Sequence, residues 1–247
     1  MNRFFILLAF SFLFFSCRKD EEQTDDNLLK LISEFSIDIE EPSGLVYDAV
    51  ANSIWLVSDN TNKIYKISSE GRIFQSLNYI GNDLEAVALD EDRNIWVAEE
   101  RLRRIVKIDK ITNDTISYKI QVENNSDNSG LEGLTYNSND KCFYILNEKN
   151  PGKLLKYSKQ MQILSSFSLS FANDNSELAY DVVHNKLWIL SDEDQSLNYC
   201  ELNGQLIKSY KTNIIQAEGL AIDTANHLMY IASDQTAKLY QFEYPNL

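Results

Sequence analysis

Side chains with oxygen atoms recur at equivalent positions of successive apolar runs. They form two sets, which we call the first and the second column. The first column stands at the starts of five apolar runs and comprises Ser43, Glu85, Glu132, Ser176 and Glu218. The second stands at the ends of the five runs that follow and comprises Asp59, Glu100, Glu148, Asp192 and Asp234. Carboxylate and hydroxyl oxygens are the ligands that hard cations prefer, so the columns indicate cation binding.

The glutamates of the first column would repel one another if they ring a narrow opening. Two unit charges about 4 Å apart cost roughly 4 kcal/mol at an effective dielectric of about 20. Raised pKa values, a bound cation or partner Lys and Arg residues would each relieve this. We predict a calcium site on Glu85, Glu132 and Glu218, because Ca²⁺ accepts oxygen-only ligands whereas zinc prefers His or Cys. Alternatively, these glutamates accept backbone N–H bonds as a repeated structural feature.

The other members of the two columns are predicted ligand-binding residues on the same face. They are the two serines of the first column and the five acids of the second. An acid that follows a strand also commonly caps the turn by accepting from a backbone amide two residues on. That structural role is the alternative for the second column, since all five repeats have such an acid.

Other chemistry is sparse, and no catalytic residue is predicted. His184 and His227 fall in the links between first and second strands, which places them on the opposite face as solvated turn residues. A Ser-His-Asp arrangement would need one of them on the acidic face. The sequence has no Gly-rich phosphate loop, Cys-x-x-Cys pair or His-rich metal motif.

The elements that position the columns are five repeats, whose first strands start 42, 47, 44 and 42 residues apart. The second strand of each repeat carries an aromatic residue at a fixed place: Trp55, Trp96, Tyr144, Trp188 and Tyr230. Two further strands follow in the complete repeats. Four strands in about 40 to 45 residues is the size of a propeller blade.

The fifth repeat ends before a fourth strand, and the missing strand is predicted at the amino-terminal end. Leu31–Ile37 resembles the outer strand of the fourth repeat, Leu206–Thr212. We therefore predict an all-β, five-bladed propeller of four-stranded antiparallel blades over residues 29–247, with the last blade closed by the N-terminal strand. In antiparallel strands one start meets the other end, so both acidic columns converge on one face.

Small residues occupy the second position of four inner strands, as expected where strands crowd around an axis. Glu177 breaks this rule in the fourth blade. Its side chain either turns into the channel or marks a shifted strand.

The amino terminus predicts export and lipid anchoring. Residues 1–16 combine one positive charge with a short apolar run, as in a signal peptide, and Ser16-Cys17 resembles a lipoprotein processing site. We predict that Cys17 is acylated, for example by palmitate, and that residues 17–28 form a polar tether to a bacterial envelope membrane, the outer membrane. An uncleaved anchor or a plain signal peptide is the alternative. Surface and periplasmic orientations both remain open.

The amino-acid composition limits which kinds of molecule the protein can bind. The chain has 37 acidic and 23 basic residues, for a formal charge of −14, and no basic cluster, which argues against nucleic-acid binding. We expect one domain and a monomer. Cys142 and Cys200 fall in different repeats and are expected to be buried free thiols, with a disulfide as the alternative.

The repeats resemble the SdiA-regulated family of bacterial propellers. The resemblance rests on Glu41–Asp48, Val57–Asp59, Asp83–Glu85, Gly130–Leu134, Leu190–Asp192 and Gln216–Leu220, and covers about residues 35–243. It implies the propeller fold and an exported or membrane-associated location, and Glu177 departs from it where glycine is usual. The chain is more distantly similar to NHL-type propellers and to calcium-dependent lactonases and phosphotriesterases.

These patterns leave three functions open. The first is a non-enzymatic module that binds a small molecule, glycan or protein at the acidic mouth, with calcium. The second is a metal-dependent hydrolase of the lactonase or esterase type. The third is a structural component of an envelope complex. The fold alone does not separate them, because propellers host many functions.

Overall fold

A computed structural model describes residues 27–109, 111–122 and 130–247. They form twenty strands in five four-stranded antiparallel sheets, which confirms the predicted five-bladed propeller. Within these ranges no helix is long and apolar enough to cross a membrane. The predicted signal segment, Cys17 and the tether up to residue 26 lie outside the described residues.

The strands follow the chain from blade to blade, except that the first belongs to the last blade. The amino-terminal strand is β1 (Leu31–Ser36). Blade 1 contains β2 (Pro42–Asp48), β3 (Ser53–Ser58), β4 (Lys63–Ile67) and β5 (Ile73–Ile80). Blade 2 contains β6 (Leu84–Leu89), β7 (Ile95–Glu99), β8 (Arg104–Ile108) and β9 (Thr115–Lys119).

The remaining blades repeat this arrangement. Blade 3 contains β10 (Leu131–Asn137), β11 (Cys142–Asn147), β12 (Lys153–Ser158) and β13 (Ile163–Ser168). Blade 4 contains β14 (Glu177–Asp181), β15 (Lys186–Ser191), β16 (Ser196–Cys200) and β17 (Leu206–Lys211). Blade 5 contains β18 (Ala217–Asp223), β19 (Leu228–Ser233), β20 (Lys238–Glu243) and β1.

The hydrophobic core lies between blades rather than at the centre. Five clusters of buried side chains each join two neighbouring blades. The fixed aromatic of each second strand enters a different cluster, so one large ring fills every interface: Trp55, Trp96, Tyr144, Trp188 and Tyr230. Cys142 and Cys200 are buried free thiols in the cluster between blades 3 and 4, as expected.

The inner strands approach one another closely around the axis. A Cβ atom added at Gly44 would lie 2.5 Å from Ala86 Cα, and one at Gly219 would lie 2.2 Å from Ser43 O. Side chains at these positions would collide with the neighbouring backbone. The small residues of the repeat therefore permit the ring to close.

Strand β1 completes blade 5 through antiparallel pairing with β20, from Leu31 beside Phe242 to Ser36 beside Lys238. Ile37 and Ile39 then bury their side chains between blades 5 and 1. Asn27 and Leu28, which the sequence assigned to the tether, already contact blade 4, because Lys211 N donates to Asn27 O at 2.7 Å and Leu28 forms a bridge with Lys211.

β-Bulges change the direction of the three glutamate side chains of the first column. In blades 2, 3 and 5 the register shifts across one residue, and that residue is Glu85, Glu132 or Glu218. A bulge leaves this residue outside the ladder and bends the strand. Blade 4 has no shift, since Glu177 pairs directly with Leu190 in the place that Gly133 takes opposite Leu146.

Candidate functional site

The site is an acidic cavity of about 340 Å³ at one end of the channel. All ten sequence-predicted residues line it, so the two columns do converge on one face. The sequence did not single out four other lining residues, Glu41, Lys149, Asp174 and Glu193. Among the described lining residues eleven are acids and one, Lys149, is basic.

Carboxylate oxygens in and directly beside this cavity form two groups whose atoms lie within 4.8 Å of one another, and Asp83 is the member that does not line the cavity. One group combines Asp59, Asp83 and Glu85, and the other combines Glu100, Glu132 and Glu148. In the described part of the chain, Glu85, Glu132 and Glu218 do not form such a group. Each close group instead joins a bulge glutamate to acids outside the first column, Glu85 to Asp59 and Asp83, and Glu132 to Glu100 and Glu148.

The acidic side chains have raised pKa values. Burial raises the pKa of Glu85 and of Glu132 well above the usual range, and neighbouring carboxylates add to the shift. Both side chains are surrounded by protein, but each remains partly exposed to solvent where it lines the cavity. Burial, followed by the charge of Asp192, raises the pKa of Glu218 to about 8. Burial also raises the pKa of Glu100 to about 7 and that of Asp59 to about 6.

Cations offset this charge only in part. Lys149 Nζ lies 2.6 Å from Glu148 Oε1 and 3.0 Å from Glu193 Oε1. Arg101 Nε lies 3.0 Å from Asp83 Oδ2. Two of the three predicted ways to relieve repulsion, raised pKa values and basic partners, are therefore present.

In the described part of the chain, the turns after the second strands of blades 1 and 4 are capped by serine hydroxyls rather than by the second-column acids. Serines fill that role, since Ser58 Oγ accepts from Thr61 N at 3.1 Å and Ser191 Oγ from Asp194 N at 3.3 Å. Glu100 and Asp192 instead reach the next blade, where they accept from Gly130 N at 2.9 Å and Ala217 N at 3.2 Å.

Glu177 lies in the channel, which decides between the two predicted placements. Its side chain is fully buried, and Oε1 accepts from Leu134 N at 3.2 Å and from Leu178 N at 2.9 Å. Oε2 has no hydrogen-bond partner among the described residues and lies beside Gly44 of blade 1. The inner edge of each inner strand has backbone N–H groups that no neighbouring strand pairs, and the Glu177 carboxyl accepts hydrogen bonds from two of them. Burial raises the pKa of Glu177 well above its usual range.

Glu177→Ala is expected to destabilise the protein more than Glu177→Gln. Alanine leaves two buried N–H groups without an acceptor, at about 1–3 kcal/mol each, whereas glutamine keeps an acceptor oxygen and the side-chain shape. Urea unfolding curves of both variants measure the difference. Equal midpoints would show that the hydrogen bonds of Glu177 contribute nothing to stability.

The opposite face is less featureless than the sequence indicated. A cavity of about 250 Å³, lined mostly by apolar side chains and tyrosines, opens there. His184 is also not simply a solvated turn residue, because its Nδ1 lies 2.7 Å from Oδ2 of the buried Asp181.

The family model described as SdiA-regulated matches residues 29–243, most of the chain. The chain belongs to the SdiA-regulated family. For this SdiA-regulated protein, the match agrees with the resemblance seen in the repeats and covers every strand that builds the acidic cavity.

Solved structures share the fold at low sequence identity. Glutaminyl cyclase from Myxococcus xanthus is 9% identical with a TM-score of 0.72, and the match covers 87% of this chain and 96% of that one. Virginiamycin B lyase from Staphylococcus aureus is 20% identical with a TM-score of 0.53. That match covers 82% of this chain and 66% of the lyase, just under two thirds of its length. A nidogen/laminin complex is 14% identical with a TM-score of 0.58, and its match covers 82% of this chain and 76% of that one.

Proposed function

We propose that this SdiA-regulated protein is an exported, lipid-anchored binding propeller that holds Ca²⁺ at its acidic mouth. The observation that carries the proposal is the pair of three-carboxylate groups at a cavity whose described lining includes eleven acids and one lysine. Ca²⁺ takes six to eight oxygen ligands in irregular geometry, so three carboxylates leave positions for water and for a ligand. The bound partner is a small molecule, glycan or protein whose oxygen atoms complete the coordination.

The group formed by Glu100, Glu132 and Glu148 is the better calcium ligand set. Its three side chains come from β10 and from the positions directly after β7 and β11, and Lys149 Nζ lies 2.6 Å from one of them, Glu148. In the other group, Asp83 is held by both the backbone N–H and the side chain of Arg101. That carboxylate is already partly neutralised, which lowers its attraction for a second cation.

Glu132→Gln is expected to weaken calcium binding at least about tenfold, because it removes one charged ligand from the group. Isothermal titration with calcium chloride measures the affinity, which we expect at about 10⁻⁵ to 10⁻³ M.

The control for this titration is Glu91→Gln. Asp90, Glu91 and Asp92 form a third group of close carboxylates, but Lys159 lies 2.7 Å from Glu91 and 3.1 Å from Asp92. That group is neutralised by its lysine, so Glu91→Gln should leave calcium affinity unchanged. Equal affinity in wild type and Glu132→Gln would contradict the proposal.

A metal-dependent hydrolase of the lactonase or esterase type is the second candidate. The pKa values of about 7 for Glu100 and about 8 for Glu218 favour it, since groups that titrate near neutral pH suit general acid and base roles. A screen of lactones, carboxylic esters and phosphoesters with calcium present separates the two functions. Turnover that Glu132→Gln abolishes would establish the hydrolase, and its absence would favour the binding module.

Anchoring at Cys17 is proposed from the sequence of the amino terminus. Cys17→Ala is expected to move the protein from the membrane fraction to the soluble fraction, because acylation requires the thiol. Immunoblots of fractionated cells measure this, and protease treatment of intact cells distinguishes the surface from the periplasmic orientation. An unchanged membrane fraction would favour an uncleaved anchor or a place in an envelope complex.

A further inference from the structure

Both histidines of the chain line one small cavity on the face opposite the acidic mouth. The cavity measures about 20 Å³, and its wall is formed by Asp181, Val183, His184, Thr224, His227 and Tyr244. A space of this size has room for about one water-sized occupant. The occupant would meet two imidazole rings and the polar side chains of Thr224 and Tyr244.

Asp181 fixes the orientation of His184. The Asp181 carboxylate is fully buried, and its Oδ2 lies 2.7 Å from His184 Nδ1 and also accepts from Tyr244 OH. The Tyr244 ring stacks on the imidazole at 6.0 Å. A carboxylate accepts hydrogen bonds, so Nδ1 donates toward Asp181, and Nε2 is the ring nitrogen that this contact leaves for a metal. Metal-binding histidines are commonly oriented by a carboxylate in this way.

Neither histidine is required by the turn that contains it. In blade 5, Asn226 takes the place of His184 and bonds Asp223 in the same way, at 2.7 Å between Nδ2 and Oδ2. His227 has a left-handed backbone, with φ 54°, where blades 1 and 4 have Asn52 and Asn185. Asparagine would therefore satisfy both turns. Histidine adds at each place a ring nitrogen that the turn does not use.

We propose that His184 and His227 form a binding site for a divalent transition metal, with Zn²⁺ as the natural occupant. Imidazole nitrogen is a preferred ligand of zinc, copper and nickel, whereas calcium prefers oxygen. Nε2 of His184 and one ring nitrogen of His227 supply two ligands, and water or the Thr224 hydroxyl completes the coordination. The His184 side chain is 43% exposed, so the ion reaches the site from solvent. This site is separate from the calcium site and does not depend on it.

Zinc titration by calorimetry tests the site, with about 1 mM calcium present to occupy the acidic mouth. His184→Asn and His227→Asn are each expected to weaken zinc affinity at least about tenfold, and the double variant should abolish the histidine-dependent binding. These substitutions place in each turn a residue that the same turn already contains in another blade. The variants should therefore melt as the wild type does, and a calcium titration should be unchanged.

Copper(II) serves as a spectroscopic probe of the same ligands. Electron paramagnetic resonance of the wild type is expected to show nitrogen hyperfine coupling, which the double variant loses. Asp181→Asn, matched by Asn137 in blade 3, should retain the nitrogen signal but weaken zinc affinity about tenfold, which identifies Asp181 as a positioning residue. Equal zinc binding by wild type and double variant, or a copper spectrum without nitrogen coupling, would overturn the proposal.

Discussion

Raising the pH from 5 to 8 in the presence of a chelator is expected to lower the melting temperature of the protein by about 10 °C or more. The acidic cavity causes this, because Glu85, Glu132 and Glu218 have raised pKa values. A carboxyl whose pKa is higher in the folded protein than in the unfolded chain contributes stability below the unfolded pKa. That contribution is lost as the pH rises through the folded pKa.

The size of the effect follows from Glu218. Its pKa rises from 4.5 to about 8, and one pKa unit corresponds to about 1.4 kcal/mol. This single group accounts for stability on the order of 5 kcal/mol, and 1 kcal/mol shifts the melting temperature by about 2–4 °C at this chain length. Glu91, whose pKa is lowered to about 2 mainly by its hydrogen bond to Lys159, titrates below this window.

Calcium and a neutral substitution separate the acidic cavity from other causes. Calcium at about ten times its Kd should add about 1.4 kcal/mol at pH 8 and so restore about 3–6 °C of the loss, because it replaces protons that the cavity would otherwise need. Glu218→Gln should raise the melting temperature at pH 8 in chelator and leave it nearly unchanged at pH 5. A wild-type melting temperature that is flat between pH 5 and pH 8 would show that these carboxyls do not titrate in that range.

The repeat explains why so much of the fold and the cavity could be predicted from the sequence. The aromatic that each blade interface requires follows 11 or 12 residues after Ser43, Glu85, Glu132, Ser176 and Glu218, so their common face follows from strand direction alone. The grouping of oxygen atoms could not be predicted in the same way. The grouping depends on the bulges, and the residue spacing in the sequence does not show how far each bulge bends its strand.

Residues in the connections were missed because no strand register fixes them. Asp174 precedes an inner strand in a loop, and Lys149 directly follows the second-column acid of blade 3. Glu177 could be flagged as irregular but not placed, since its position depends on blade 4 lacking a bulge. The sequence also did not predict the Asp181–His184 contact. Asp181 accepts from Tyr244 OH as well, and Tyr244 follows the last strand, where no repeat fixes its place.

Removal of strand β1 is expected to abolish the cooperative unfolding of the propeller. A chain that begins at Asp38 loses the pairing of β1 with β20 and the buried side chain of Ile37. It exposes the edge of β20, which favours aggregation. The loss is comparable with the whole stability of a typical domain, about 5–15 kcal/mol. Differential scanning calorimetry and size-exclusion chromatography should show no two-state transition and no monomer, whereas a control chain that begins at Asn27 retains both.

A circular permutant shows whether strand pairing, rather than chain order, closes the ring. Residues 27–37 are moved to follow Leu247, and the chain then starts at Asp38. Because Leu31 lies beside Phe242 in the antiparallel pair, the transferred strand needs only a hairpin connection to reach the same place. The permutant is expected to melt within a few degrees of the control and to bind calcium with the same affinity. A truncated chain as stable as the control, or a permutant that fails to fold, would contradict this account of how the last blade and its acidic cavity are held in place.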